Sequence, residues 1–182
     1  MRELNLDASE DSSAGEVEAH VFGDDGVFPN NGKLPVLVYR DVLEATGRGA
    51  TSAIRRLFAK NQWGSSWVNG IYGFHHYHST AHEVLAVCGG KAKVQLGGKQ
   101  GLIVNLSAGD AVVIPAGVAH KNLGSGSNFI VVGAYPEGQH YDMCYGEPGE
   151  RPGTDENIDR VPLPESDPLR GPGGPLMQHW SG

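Results

Sequence analysis

The sequence predicts an all-β protein built as a single domain, a sandwich or barrel of short strands, and three observations carry that prediction. From Ser65 to Tyr135, short apolar runs are separated by Gly89-Gly90, Gly97-Gly98, Gly109-Asp110, Pro115-Ala116-Gly117 and Gly124-Ser125-Gly126, all of them turn chemistry. Lys91 to Leu96 and Leu102 to Leu106 alternate in part between apolar and polar residues, as strands with one buried face do. Only one segment reads convincingly as a helix. At 182 residues the chain is long enough to bury a substantial core.

Taken in order, residues up to Glu16 are rich in Asp, Ser, Glu and Gly and are expected to be disordered. Glu18 to Phe22 suits a short edge strand. Asp24-Asp25-Gly26 and Asn30-Asn31-Gly32 are turns around Phe28-Pro29, and Pro35 to Tyr39 is the next strand-like run. The helix follows. Thr51 or Ser52 caps it, Ile54, Leu57 and Phe58 recur at helical spacing, and Arg55, Arg56 and Lys60 take the other side. Strands are then expected near Ser65–Val68, Tyr72–His78, Glu83–Cys88, Lys91–Leu96, Leu102–Leu106, Ala111–Ile114, His120–Leu123 and Asn128–Tyr135. Residues 17–135 thus form the β domain. Residues 136–182 are rich in Pro and Gly, with apolar residues from Tyr141 and Met143 to Leu176 and Trp180 spread along them. They read as an extended arm that wraps its own domain or a partner subunit.

The chemistry concentrates between Gly70 and Gly90. His75, His76, His78, His82 and Glu83 fall within nine residues, ahead of the uncharged run Val84 to Cys88. Imidazoles and carboxylates hold divalent metals, and residues two apart on a strand share a face. His76 and His78 therefore form a pair, while His75 points away. After a tight turn at Ser79 to Ala81, only one of His82 and Glu83 can face the same way as the pair, and Glu83 is the expected one. Tyr72 and Phe74 share the parity of His76 and are placed to line a pocket.

This spacing resembles the cupin superfamily. Gly70, His76, His78, Glu83 and Gly90 fit its first motif, G-x5-H-x-H-x(3,4)-E-x6-G, at every position. Gly109, Pro115, Gly117 and His120 fit the second, G-x5-P-x-G-x2-H-x3-N, up to its last residue, where Gly124 stands for Asn and Asn122 comes two residues early. The segment Gly146 to Pro152 adds a likeness to the YjlB-like subgroup of double-stranded β-helix proteins. The resemblance implies a jelly roll in which His76, His78, Glu83 and His120 bind one divalent metal, Fe, Mn or Ni, with Zn also able to bind. It further implies two open metal positions and a metal-dependent enzyme on a small polar metabolite, a dioxygenase slightly ahead of an isomerase. His82 as a base and the Tyr72 hydroxyl as an orienting group complete that reading. A small-molecule sensor without turnover is the alternative from a different class.

Composition narrows the partners. Fourteen basic against twenty-one acidic residues leave a net charge of −7, which disfavours nucleic acid and anionic membranes. No apolar run approaches a bilayer span, and the first residues lack the pattern of a secretory signal. Cys88 and Cys144 give no disulfide framework and read as thiols of a cytoplasmic protein. The open sheet edges of a jelly roll and the apolar-studded arm lead to the expectation of a homodimer.

Overall fold

In the computed structural model, which describes residues 15–181, a β domain is followed by an arm that packs back on it. The strands are β1 (Val17–Phe22), β2 (Asn31–Tyr39), β3 (Trp63–Asn69), β4 (Glu83–Gly89), β5 (Lys91–Leu96), β6 (Leu102–Ser107), β7 (Ala111–Ile114), β8 (His120–Ser125) and β9 (Ile130–Pro136). Helix α1 (Thr51–Lys60) lies between β2 and β3, and α2 (Gly153–Arg160) and α3 (Pro175–His179) belong to the arm. All strand pairings are antiparallel. A six-stranded sheet in the order β1-β2-β7-β4-β9-β3 faces a three-stranded sheet in the order β6-β5-β8. The fold is a jelly roll.

The central strands of the large sheet are buried on both faces. Val36, Val38, Leu85, Val87, Val112 and Ile114 meet Ala92, Val94, Leu96, Val104 and Leu106 between the sheets. On its other face, Leu37, Tyr39, Val84, Ala86 and Val113 pack with Ile54 and Phe58 of α1 and with Leu169, Leu176 and Trp180 of the arm. Strands buried on both sides lose alternation, so β4 and β7 read as continuous apolar runs. β5 and β6 have one open face and alternate.

The structure changes three expectations. Tyr72–His78 is not a strand: Gly70 to Ala81 is an irregular segment, pinned by isolated bridges from His76 to His120 and from Tyr77 to Cys144. The arm is not wholly extended. Asp155 and Glu156 sit in the first turn of α2 and Arg160 in its last, each sign at the helix end that favours it, and Pro175 opens α3. Of the expected arm anchors, Leu176 and Trp180 are deeply buried, whereas Tyr141, Tyr145 and Leu163 are exposed. Of the expected disordered start, residues 1–14 lie outside the described residues; Gly15 and Glu16 pair with Arg40 and extend the β1–β2 ladder.

The departure from the second motif also has a local counterpart. Lys93 pairs with Gly124 but Val94 with Asn122, so Leu123 is the extra residue of a β-bulge. Asn122 supports the bulge, accepting from the Gly124 N–H at 2.9 Å and donating to Ser125 Oγ at 3.0 Å.

Candidate metal centre

The site is built where the irregular segment crosses the ends of β4 and β8. The backbones of His76 and His120 bond to each other twice, at 3.2 and 2.9 Å, which sets their rings 4.1 Å apart. Alternation carries Tyr77 to the opposite side, into a cluster with Phe28, Ala119 and Cys144, and returns His78 to the side of His76. Glu83 opens β4 on the face of Leu85 and Val87, which point between the sheets. Gly117, at φ +96°, lets the second motif turn tightly enough for its N–H to donate to the His78 carbonyl at 2.8 Å. The two motifs are thereby held to each other.

His76, His78 and His120 are buried, and their ring nitrogens converge to within 4.8 Å of one another, a group that could hold a metal ion. Nδ1 of His76 lies 3.0 Å from the Phe74 carbonyl, Nδ1 of His120 lies 3.1 Å from the Val118 carbonyl, and Nδ1 of His78 contacts the Asp142 carbonyl. A carbonyl only accepts, so each Nδ1 carries a proton and Nε2 is the nitrogen left for a cation. Glu83 Oε2 lies 3.2 Å from Nε2 of both His78 and His120, yet neither contact is aligned as a hydrogen bond and this buried oxygen has no other partner. An orphaned carboxylate oxygen between imidazole nitrogens fits a divalent cation in their midst.

The charges agree with that arrangement. Burial opposes ionisation of Glu83, but His78 and His120 outweigh it and hold the carboxyl well below the usual carboxylate range. Burial also opposes a charged His78, and the Glu83 carboxylate with the Asp142 carbonyl outweighs it and raises that histidine above its ordinary value. His76, pressed by burial and by His120, is pushed down to about 3 and is neutral at physiological pH. A divalent cation held by these residues would meet the one carboxylate that balances part of its charge.

A family model described as a cupin domain matches residues 68–130, which contain the whole ligand-type set. The chain is also 41% identical over 165 residues to uncharacterized protein YjlB of Bacillus subtilis, an alignment spanning 91% of this chain and 97% of that one. The chain belongs to the cupin family. Within that family it is a YjlB-like cupin. Among solved structures it is similar to acireductone dioxygenase from Bacillus anthracis with cadmium in its active centre, at a TM-score of 0.40 and 17% identity over 53% of this chain and 64% of that one. It is also similar to vicilin from Solanum lycopersicum, at a TM-score of 0.38 and 21% identity over 70% of this chain and 32% of that one.

The cupin's four motif residues all border one cavity of about 380 Å³ that opens to solvent. Tyr72 borders it too, stacked on Phe74 at 4.9 Å and meeting the His76 ring edge-on at 5.4 Å. Phe74 itself is not part of the lining. His75 lies outside, against Phe28. Sequence reasoning missed Trp67, Tyr135, Tyr141 and Met143, which complete the walls. Tyr135 could have been found from register: β4 and β9 pair Val84 with Ala134, so one further step sets Tyr135 opposite Glu83. Gly133 leaves the space in which the Trp67 indole lies, and Trp67 Nε1 donates to the Tyr135 hydroxyl at 2.8 Å. Burial first, and the Glu83 charge second, hold that phenol above its ordinary range, so it stays a proton donor.

The expectation of His82 as a base is corrected by its position. It is one residue out of phase with Glu83 and so faces the opposite side of the sheet, with its ring 4.7 Å from Trp180 and outside the cavity lining. A base must come within hydrogen-bond reach of the proton it takes. His82 Nδ1 instead accepts from the Ala116 N–H at 2.9 Å, and burial pushes its pKa down to about 4, which keeps it neutral. It therefore latches the second-motif turn. Replacing His82 with Ala strands a buried N–H and is expected to cost about 1–3 kcal/mol in urea unfolding. Metal content per folded chain should stay at the wild-type level; its loss would return His82 to the site.

Proposed function

We propose that this YjlB-like cupin is a metal-dependent enzyme acting on a small polar metabolite, with oxidation by dioxygen the preferred reaction. The observation that carries the reading is the convergence of three Nδ1-anchored imidazoles and the orphaned Glu83 oxygen at the floor of an open cavity. In this reading His76, His78, Glu83 and His120 hold one Fe, Mn or Ni ion. Such an ion would supply Lewis-acid polarisation of a substrate oxygen.

The chain's own residues do the rest. Glu83 balances one positive charge and is kept ionised by its histidine neighbours. Tyr135, its hydroxyl oxygen accepting from Trp67, borders the cavity beside Glu83 and is placed to hydrogen-bond a substrate oxygen there. Tyr72 at the mouth orients the part of the substrate that does not reach the floor.

The test is protein loaded anaerobically with Fe(II), then exposed to dioxygen with a panel of small hydroxy and keto metabolites. Oxygen uptake that depends on one panel member, and fails in Glu83→Ala, supports turnover. Tight binding of a panel member with neither oxygen uptake nor any product would leave a sensor in its place. The reading also takes a homodimer, built on the open edges of β1 and β3 or of β6 and β8. Sedimentation is expected to give twice the chain mass at micromolar concentration, and a monomer there would remove that part.

A further inference from the structure

We infer that the cavity takes a flat, uncharged ring, held by the faces of Tyr72 and Tyr141 and not by an ion pair. The inference rests on the metal reading above, in which a cation at the floor takes the ligand's oxygen atoms; the tyrosines concern the remainder of the molecule.

Four observations carry it. Among the described residues lining the cavity, Glu83 is the one Asp, Glu, Lys or Arg, and it is turned to the histidines. Apart from Glu83, the walls therefore hold no charged side chain to pair with a carboxylate, phosphate or ammonium group. Tyr72 and Tyr141 flank the histidines, Tyr72 beside His76 at 5.4 Å and Tyr141 beside His78 at 5.2 Å. Each is already stacked nearly parallel on another ring, Tyr72 on Phe74 at 4.9 Å and 18°, Tyr141 on Tyr135 at 4.7 Å and 17°. Yet Tyr72 remains 54% and Tyr141 51% exposed.

Rings fixed in this way have lost their freedom before any ligand arrives, so covering their open surface gains burial and stacking at little entropic cost. Val68, Ile71, Leu85 and Met143 fill out the walls. A sugar would need hydrogen-bond partners for its many hydroxyls, of which Ser65, Asn69 and the tyrosine hydroxyls of this lining could meet some. A planar conjugated ring bearing two adjacent oxygens needs none beyond the floor and fits about 380 Å³.

The experiment loads wild type, Tyr72→Ala, Tyr141→Ala and Tyr141→Phe with Co(II), measures cobalt by elemental analysis, and titrates three probes calorimetrically. Maltol is a flat neutral hydroxyketone, hydroxyacetone has the same oxygen pair without the ring, and glucose is a saturated ring. Maltol chelates cobalt better than hydroxyacetone in water too, so the deciding quantity is the loss on removing a protein ring. We expect Tyr72→Ala and Tyr141→Ala each to weaken maltol about three- to tenfold, with cobalt content and hydroxyacetone affinity unchanged. Tyr141→Phe, which keeps the ring, should keep maltol affinity. Equal losses for maltol and hydroxyacetone, no loss for either, or a preference for glucose would overturn the ring ligand while cobalt stays bound. Wild type that takes up no cobalt would overturn the metal reading, and this inference with it.

Discussion

Replacing His120 with Ala is expected to bring metal content from about one ion per chain to background, and His75→Ala to leave it unchanged. The contrast is sharp because the two histidines are alike in type and both lie in or beside the cupin motifs. His120 is buried with its Nδ1 anchored on the Val118 carbonyl and its Nε2 3.2 Å from Glu83. His75 is turned by parity to the other side, where its ring meets Phe28. Elemental analysis of protein purified without chelator or metal affinity resin gives the first readout.

Thermal unfolding gives a second that does not depend on metal surviving purification. At a hundredfold excess over its dissociation constant, a ligand of the folded state contributes about 2.7 kcal/mol, which for a chain of this size raises Tm by roughly 5–10 °C. Wild type and His75→Ala should show that rise on adding Mn(II) or Ni(II), and His120→Ala should not. Equal loss of metal in both variants would show that alternation along Gly70 to Ala81 does not decide which histidines bind.

That alternation was legible in the sequence although the strand was not. The spacing of His76, His78 and Glu83 requires only that successive side chains point to opposite sides, and an extended segment held by two isolated bridges satisfies this without a ladder. The sheet strands were legible to within a few residues from their apolar runs and glycine turns. The walls were harder. Tyr141 and Met143 reach the cavity from the arm, more than sixty positions beyond the first ligand-type histidine, and no periodicity in a Pro- and Gly-rich stretch announces where it will return. His82 was misread for the opposite reason. Its neighbours in sequence are site residues, and only the burial of both faces of β4 shows that the far side of the sheet is also a packed interior. Helix α2 escaped because Ile158 is nearly its only apolar residue, leaving no stripe to read.

The arm is held by buried polar contacts as well as by apolar area, and Asp167→Ala is the change expected to cost the most stability for one side chain outside the site. Asp167 is fully buried on the outer face of the large sheet. Its Oδ1 accepts from the N–H groups of Leu169 and Arg170 at 2.8 and 3.0 Å, and its Oδ2 accepts from the Leu176 N–H at 3.0 Å and the Tyr39 hydroxyl at 2.7 Å. One carboxyl thus closes the turn before α3, sets the start of that helix, and ties both to β2. Around it, Trp63 Nε1 donates to the Ser166 carbonyl and Trp180 Nε1 to the Pro35 carbonyl, so the arm cannot shift to give the freed groups other partners without breaking these. Truncation strands up to four donors, three of them buried, and about 4 kcal/mol is expected in urea unfolding, or roughly 10 °C in Tm. Asp167→Asn should recover part of this, because its oxygen still serves one pair of donors while its amide faces the Leu176 N–H. Metal content of the folded variant should remain at the wild-type level, since Asp167 and the cavity lie on opposite faces of the sheet. A loss below about 1 kcal/mol would mean that the apolar contacts of Leu169, Leu176 and Trp180 hold the arm alone.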